Sequence, residues 1–331
     1  MVTYTLKRVS IAHLPTPLEP LARLSQRLGG PELWVKRDDQ TGLATGGNKT
    51  RKLEFLLADA LANGADTLLT CGAAQSNHAR QTAAAAAKLG LKAVLVLRGE
   101  APPGVQGNLL LDLLLGAEIV WAGDRPLPDA LESAAAACHR RGDTPYVVPY
   151  GGSNPVGASG YVAAMEELLA QCAQQELHFD HIVFASSSGG TQAGLAVGAR
   201  ALGYTGRVLG ISVDMPGASL RASVAELATA TAVRLGLDLT FAAADIDVND
   251  DYVGGGYAAI SELEREAIRT VAQTEGLLLD PVYTGRAFGG LLDLIRCGAF
   301  APDERVLFWH TGGSAGLFGY AEAVLGSAWA R

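Results

Sequence analysis

The chain has 331 residues, which is enough for about two domains of ordinary size. Hydrophobic residues make up 49% of it and charged residues 18%, so intrinsic disorder is excluded, because such a chain buries enough apolar surface to offset its ordering entropy. The formal net charge is −8 and no basic tract stands out, which argues against a nucleic-acid-binding protein.

Cysteine spacing and hydropathy also restrict the class of protein. The four cysteines lie far apart without a C-x-x-C pair, as expected for reduced thiols in the cytoplasm, and the histidines show no metal-ligand spacing. The N-terminus lacks the long apolar core of a signal peptide. The most apolar stretch, 109–122, contains Asp112 and Glu118 and is too short to span a bilayer. We therefore expect neither a metal site nor a membrane partner.

Helix and strand patterns alternate along the whole chain. The predicted helices are 17–28, 49–63, 77–89, 108–115, 128–140, 156–172, 191–202, 219–235, 260–275 and 286–296. The predicted strands are 33–36, 67–71, 93–97, 118–121, 146–148, 181–185, 208–213, 277–279 and 306–309. Short apolar strands separated by helices predict an α/β fold with two open, mostly parallel sheets flanked by helices and a site between them.

The first candidate segment is a glycine turn that leads into a helix, TGLATGGNKTRK at 41–52. It places Lys49 in the first helical turn, where the positive end of the helix dipole disfavours an ammonium and lowers its pKa. A lysine that attacks a carbonyl must be a free amine, so this position suits covalent catalysis. A solvated lysine at a helix start is the alternative interpretation, with Arg51 and Lys52 beside it.

Two further turns lie between a predicted strand and a predicted helix. In GAAQSNH at 72–78, Ser76 is an expected N-cap, and backbone N–H groups there, with Asn77 and His78, can bind a carboxylate. In SSSGGT at 186–191, small hydroxyls and the helix N-terminus form a predicted phosphate site. The latter lacks the G-x-G-x-x-G spacing of a dinucleotide site, which disfavours a nicotinamide oxidoreductase.

Three positions in the C-terminal half are weaker candidates. The polar turn HTGGS at 310–314 follows an apolar strand, at the sheet edge where ligands bind in open parallel sheets. Tyr257 and Tyr283 each follow a turn, GGG and DPV, which raises the chance of a functional role. A lone tyrosine is otherwise more often a residue of the core or its rim.

A reactive lysine, a carboxylate turn and a phosphate turn together suggest pyridoxal 5′-phosphate as cofactor. The segments 36–56, 75–81, 186–195, 279–291 and 310–313 occur in this order, and with them the chain resembles the family of D-cysteine desulfhydrases and 1-aminocyclopropane-1-carboxylate deaminases. That family belongs to the fold type II pyridoxal phosphate enzymes, which have the tryptophan synthase β-like fold. The resemblance extends from about residue 13 to 320.

The resemblance implies a role for each matching residue. Lys49 binds the cofactor covalently and is catalytic together with Ser76, Tyr257 and Tyr283. The cofactor-binding residues are Lys49, Asn77 at the 3′-oxygen, Ser187, Ser188, Gly189, Gly190 and Thr191 at the phosphate, and Thr311 at the ring nitrogen. The substrate-binding residues are Ser76, which holds the carboxylate, Asn77, His78 and Tyr283.

The resemblance also implies a domain arrangement and a reaction. The large cofactor-binding domain comprises 1–51 and 162–331, and a small α/β domain comprises 52–161; the assembly is a homodimer. Lys49 removes the α-proton of a small amino-acid substrate, the cofactor ring accepts the electrons, and the β-substituent leaves. Hydrolysis then gives pyruvate and ammonia, so the protein is expected to be a carbon–sulfur lyase that acts on D-cysteine.

Two departures from the deaminase branch favour D-cysteine. That branch carries Glu where this chain has Thr284, and Gln where it has His78; a hydroxyl does not keep the cofactor ring protonated for cyclopropane opening. L-cysteate sulfo-lyase activity is the alternative, for which His78, Gln192 and Arg286 are candidate sulfonate ligands, and Arg286 stands where relatives often carry Lys. A 1-aminocyclopropane-1-carboxylate deaminase and a non-catalytic sensor of small molecules are further alternatives.

Overall fold

Ten strands form two separate sheets in the computed structural model, which describes residues 6–326. The larger sheet has the order β1-β2-β10-β7-β8-β9 and is parallel except for β1, which pairs antiparallel with β2. Its strands are β1 (Leu18–Pro20), β2 (Glu32–Lys36), β7 (His181–Ser186), β8 (Arg207–Ser212), β9 (Asp247–Asn249) and β10 (Arg305–Trp309).

The smaller sheet is parallel throughout and has the order β5-β4-β3-β6. Its strands are β3 (Thr67–Gly72), β4 (Lys92–Leu97), β5 (Glu118–Trp121) and β6 (Pro145–Val147). All four lie within the predicted small domain, 52–161, whose boundaries stay a prediction.

Helices cover both sheets, as continuous apolar parallel strands require. They are α1 (Ala22–Leu28), α2 (Lys49–Ala62), α3 (Asn77–Leu89), α4 (Gly107–Leu114), α5 (Leu127–Arg140), α6 (Pro155–Gln175), α7 (Gly190–Leu202), α8 (Gly217–Arg234), α9 (Glu262–Glu275), α10 (Thr284–Arg296), α11 (Ser314–Gly319) and α12 (Ala321–Leu325). Within the described range, 6–326, no helix is both long and apolar enough to cross a membrane.

Two of the predicted elements are wrong. The segment 17–28 is not one helix: β1 occupies its first part and α1 its second, because Leu18 and Pro20 pair with Lys36 and Trp34 of β2. The segment 277–279 forms no strand, although Leu277 and Leu279 are buried. The polar edge strand β9 has no apolar pattern and was not predicted.

The carboxyl ends of the parallel strands place the candidate segments. The turn with Ser76 follows β3 of the smaller sheet, whereas the turn 186–191 follows β7 and Thr311 follows β10 of the larger sheet. Ligands bind at this edge of open parallel sheets. The fold thus brings segments that are distant in the chain to one region between the sheets.

Candidate active site

The glycine turn before α2 fixes the position of Lys49. Gly47 has φ +128 and its N–H donates to the Thr41 hydroxyl over 2.8 Å. The Asn48 N–H donates to the Thr311 carbonyl over 3.0 Å, and the Asn48 side-chain amide donates to Thr191 over 3.0 Å. Three of the candidate segments therefore meet at Asn48, the residue directly before α2.

The Lys49 amine is half-buried and has few partners. Its Nζ donates to the Asn48 side-chain oxygen over 3.0 Å and lies 5.8 Å from the centre of the Tyr283 ring. The pKa of Lys49 is lowered to about 8, mainly by burial; the Asp280 carboxylate opposes this shift and the Arg80 charge adds to it. A larger fraction of this lysine is thus a free amine at neutral pH than of an ordinary one.

The turn after β7 presents donors to the same cleft. Gly189 has φ +79 and precedes α7, whose N-terminus has no side-chain cap. The Ser188 hydroxyl lies 2.8 Å from the Ser153 hydroxyl, to which the Gly190 N–H donates over 3.1 Å. An uncapped helix N-terminus with adjacent hydroxyls attracts an anion.

Lys52, which the sequence did not single out as a ligand, is buried beside this turn. Its Nζ donates to the Gly151 carbonyl over 3.0 Å and to Ser153 over 3.4 Å. A Cβ added to Gly190 would lie 2.9 Å from the Lys52 Nζ. The signal in the sequence is the spacing i, i+3 from Lys49, which puts both lysines on one face of α2.

These donors fit the phosphate of the cofactor. Burial and then the neighbouring Lys49 hold the pKa of Lys52 well below its usual range, so its charged form needs an anion beside it. The Ser186 hydroxyl is buried and has no partner among the residues that the structure describes. Pyridoxal phosphate supplies an anion for Lys52 and an aldehyde for the amine of Lys49.

The turn after β3 is a capped helix start that keeps free polar groups. The Ser76 hydroxyl accepts from the Ala79 N–H over 3.1 Å, which confirms it as the N-cap of α3. The Asn77 side-chain oxygen accepts from Asn108 over 2.9 Å. Asn77 is thereby oriented, and its amide nitrogen stays available for a ligand.

Hydrogen bonding determines the protonation of His78. The Thr70 hydroxyl donates its proton to the Val148 carbonyl over 2.8 Å, so it must accept from the His78 Nε2, 2.9 Å away. The buried Nδ1 is then an unprotonated acceptor, and it has no partner within residues 6–326. Burial, followed by the charges of Lys49 and Lys52, holds the pKa of His78 well below its usual range, so the ring is neutral.

The two predicted tyrosines form a pair at the cleft. The Tyr283 hydroxyl donates to the Tyr257 hydroxyl over 3.2 Å, and the rings meet edge to face with centroids 6.0 Å apart. Burial raises the pKa of both phenols, so both stay protonated at neutral pH. Tyr283 lines the cleft, whereas Tyr257 lines an adjacent cavity that shares Tyr150 with it.

The cleft contains about 620 Å³ of space between atoms, part of which is open to solvent. Most predicted site residues line it; Gly190 and Tyr257 are the exceptions. The predicted lining residues are Lys49, Ser76, Asn77, His78, Ser187, Ser188, Gly189, Thr191, Tyr283 and Thr311. Further lining residues that the sequence did not single out as ligands include Asn48, Lys52, Tyr150 and Gly151.

Two candidate sulfonate ligands do not line this cleft. Gln192 borders a separate cavity beside β8 and donates to the Asp247 carbonyl over 2.7 Å. Arg286 is buried against Glu264, with Nε 2.7 Å from the carboxylate. Thr284 is also buried outside the lining, and its hydroxyl donates to Asp280 over 2.8 Å. In the described part of the chain no group of three or more His, Cys, Asp or Glu could hold a metal ion.

Comparisons with known proteins identify the family of this chain. The family described as pyridoxal-phosphate dependent enzyme matches residues 9–312. D-cysteine desulfhydrases of Salmonella typhi and Salmonella choleraesuis are each 46% identical over 321 residues, which are 95% of this chain and 96% of the relative. A crystal structure described as an ACC deaminase homologue has a TM-score of 0.90 and 42% identity, and the match covers 98% of this chain and 97% of that one.

A more distant likeness concerns the fold alone. Diaminopropionate ammonia lyase of Escherichia coli has a TM-score of 0.66 and 18% identity, with 96% of this chain and 87% of that chain covered.

Together, the family match and the similar proteins confirm the predicted fold class, cofactor and family resemblance. The chain belongs to the family of pyridoxal-phosphate dependent enzymes.

Proposed function

We propose that the protein is a carbon–sulfur lyase that converts D-cysteine to pyruvate, sulfide and ammonia. The observation that carries this proposal is the half-buried amine of Lys49, whose pKa is lowered to about 8, in a cleft with an anion site on one side and the Ser76 turn on the other. The 46% identity to D-cysteine desulfhydrases over nearly the whole chain supports the substrate.

Binding of the cofactor is assigned to three sets of residues. Residues 187–191, assisted by Lys52, hold the phosphate; Asn77 holds the 3′-oxygen; and Thr311 lies at the ring nitrogen. When bound, pyridoxal phosphate supplies an electron sink for the carbanion left by loss of the α-proton. Lys49 is the residue that binds it covalently.

The substrate lies between the Ser76 turn and Tyr283. Ser76, Asn77 and His78 hold its carboxylate through the N–H groups at the start of α3, because the neutral His78 ring donates its Nε2–H to Thr70 and has no further donor. The amine of Lys49, once free of the cofactor, accepts the α-proton, because a pKa of about 8 leaves a larger unprotonated fraction at neutral pH than an ordinary lysine has. The protonated hydroxyl of Tyr283 borders the β-substituent, and Tyr257 accepts its hydrogen bond from the adjacent cavity.

The placement of polar groups supports D-cysteine over the alternatives. A sulfonate leaving group requires additional donors, and Arg286 and Gln192 lie outside the cleft lining. Cyclopropane opening by a deaminase is disfavoured because the Thr284 hydroxyl is engaged by Asp280. A non-catalytic sensor would have no need of the lowered pKa of Lys49.

The assembly and compartment belong to the same proposal. We assign a homodimer, supported by the exposed Leu114 of α4 and Phe318 of α11, on two helices that pack together. We assign the cytoplasm, supported by cysteines without disulfides, three of them buried and Cys297 exposed.

Ammonia release from a fixed panel of compounds tests the function. The panel contains D-cysteine, L-cysteine, L-cysteate and 1-aminocyclopropane-1-carboxylate, each with added pyridoxal phosphate. We expect preferential turnover of D-cysteine with sulfide as coproduct, and loss of turnover in Lys49→Ala. Preferential turnover of L-cysteate would keep the cofactor and Lys49 but refute the assigned substrate.

A further inference from the structure

Arg286 is fully buried outside the catalytic cleft, yet it gathers four backbone carbonyls. It lies on α10, and its side chain is 1% exposed. Nη1 lies 2.9 Å from the carbonyls of both Val253 and Gly256, and Nη2 donates to the Ala259 carbonyl over 2.6 Å. Three of its contacts thus surround the single loop 253–259.

The remaining contacts tie that loop to the rest of the larger sheet. Nη1 also donates to the carbonyl of Val213, which directly follows β8, over 2.5 Å. Nε donates to Glu264 of α9 over 2.7 Å, so the buried positive charge has a buried partner. The guanidinium therefore connects α10, α9, the end of β8 and the loop.

The loop has little regular structure to hold it otherwise. Gly254 and Gly256 have φ +56 and +93. Ala258 has φ +60, a backbone conformation that residues other than glycine rarely adopt. Its backbone hydrogen bonds are those of single turns; for example, the Gly256 N–H donates to the Val253 carbonyl over 3.0 Å. Loss of the Arg286 contacts would free the loop to change its path.

This loop carries Tyr257, and Arg286 also lies close in sequence to Tyr283. Tyr283 is the N-cap of α10, three residues before Arg286, and its hydroxyl donates to Tyr257 over 3.2 Å. One guanidinium is thus rigidly linked to both members of the tyrosine pair. We propose that Arg286 is a positioning residue that holds Tyr257 against Tyr283, an inference that rests on the proposed role of this pair beside the substrate.

Although relatives often carry Lys at this position, a lysine could not make the contacts that Arg286 makes in this chain. A guanidinium carries five N–H donors in a fixed planar fork, whereas an ammonium carries three donors around one atom. A lysine at 286 can pair with Glu264 and keep the charge balanced, but it cannot span the carbonyls on either side of the loop. The variant Arg286→Lys therefore keeps the buried positive charge but removes the contacts that hold the loop.

A double-mutant cycle with Arg286→Lys and Tyr257→Phe tests the proposal. We expect Arg286→Lys to lower kcat for D-cysteine by about tenfold to 100-fold, as small misplacements at active sites do. In the Tyr257→Phe background the same change should have little further effect, because the residue it positions has lost its hydroxyl. Independent, multiplicative losses would overturn the proposal.

Hydrogen–deuterium exchange of the holoprotein gives a readout without substrate. Arg286→Lys should speed amide exchange in 253–259, whereas the absorbance of the lysine-bound cofactor should stay unchanged. Glu264→Gln is the matched control: it weakens the buried ion pair and lowers the unfolding temperature, but should leave kcat near that of the unaltered protein. Unchanged exchange in the loop of Arg286→Lys would contradict the proposal, even if D-cysteine proved not to be the substrate.

Gly256→Ala serves if Arg286→Lys does not fold. At φ +93 an alanine is strained, although its Cβ would meet no atom within 4 Å, so the change disturbs the loop path without a clash. We expect a loss of kcat that is again absent in the Tyr257→Phe background. A full loss in that background would refute the proposal.

Discussion

Burial of the Lys49 side chain is the main cause of its lowered pKa. From the sequence we expected the positive end of the helix dipole to lower the pKa of Lys49. In the structure burial is the largest cause, with the Arg80 charge acting in the same direction. One turn later, burial and then the Lys49 charge lower the pKa of Lys52, so the cleft holds two amines with depressed pKa values.

Capture of the cofactor by the apoprotein should follow the titration of Lys49. Because only the free amine attacks an aldehyde, the rate of covalent binding should rise with pH and level off above about 8. The visible absorbance of the lysine-bound cofactor measures this rate. The control Lys88→Ala, which changes an exposed lysine of α3, should show the same pH dependence of this rate as the unaltered protein. A rate still rising near pH ~10, as for an ordinary lysine, would contradict the assigned environment.

Asp112 on α4 should lower stability as pH rises. It is fully buried, neither carboxyl oxygen has a partner among the described residues, and burial raises its pKa to about 7 against an opposing effect of Arg80. The unfolded chain has a pKa near ~3.9 at this group. Its effect on stability is thus most favourable below about pH 4, and stability is lost as pH rises to about 7.

Asp112→Asn removes this titration. At pH 8 it should raise the free energy of unfolding by up to about 4 kcal/mol, which is the equivalent of the pKa shift. Between about pH 4 and 7 the free energy of unfolding should depend less on pH than it does in the unaltered protein. Urea unfolding at several pH values measures both effects. Asp303→Asn, in an exposed loop, is the control and should change neither. Lower stability of Asp112→Asn at pH 8 would refute this account.

At the scale of elements, periodicity predicted those with strong local patterns. Helices α2 and α3 lie within one residue of the predicted bounds, because apolar residues repeat along one face and a cap or glycine follows. The prediction of one helix over 17–28 was wrong because β1 forms only by pairing with β2, and no local sequence pattern shows that pairing. The run 277–279 failed because a short apolar segment can be buried without joining a sheet.

The crossing of α6 over α2 should be intolerant of any side chain at Gly160. A Cβ there would lie 2.7 Å from the Arg51 carbonyl carbon and 3.0 Å from the Lys52 nitrogen. Gly160→Ala should cost about 1–3 kcal/mol of stability and lower activity, because it displaces the helix turn that carries Lys49. Urea unfolding and D-cysteine turnover measure the two effects. Gly104→Ala, whose Cβ would meet no atom within 4 Å, should be near neutral; equal effects would refute the packing argument.

At the scale of the whole molecule, the site is assembled from segments that the chain separates widely. The sequence predicted most of the cleft lining because each turn has its own local chemistry. It missed Lys52 because the groups that bury it, Gly151 and Ser153, come from a segment about 100 residues later. Gln192 and Arg286 were misplaced for the same reason: local sequence does not show which way a helix faces.

The proposed homodimer can be tested at its exposed apolar residues. Leu114 is 73% exposed, and a charge there should oppose burial against a second copy. Leu114→Glu should therefore shift the sedimentation coefficient from that of a dimer towards that of a monomer. Val233→Glu on α8, at 70% exposure, is the matched control and should leave the dimer intact. A dimer that survives Leu114→Glu would place the interface elsewhere.

The most direct test of the account distinguishes the two amines of the cleft. Borohydride reduction of the holoprotein fixes the cofactor to the lysine that holds it, and peptide mass mapping then identifies that residue. We predict a label on Lys49 alone, with Lys52 unmodified and free to hold the phosphate. A label on Lys52, or no label at either residue, would contradict the assignment of Lys49 and the mechanism built on it.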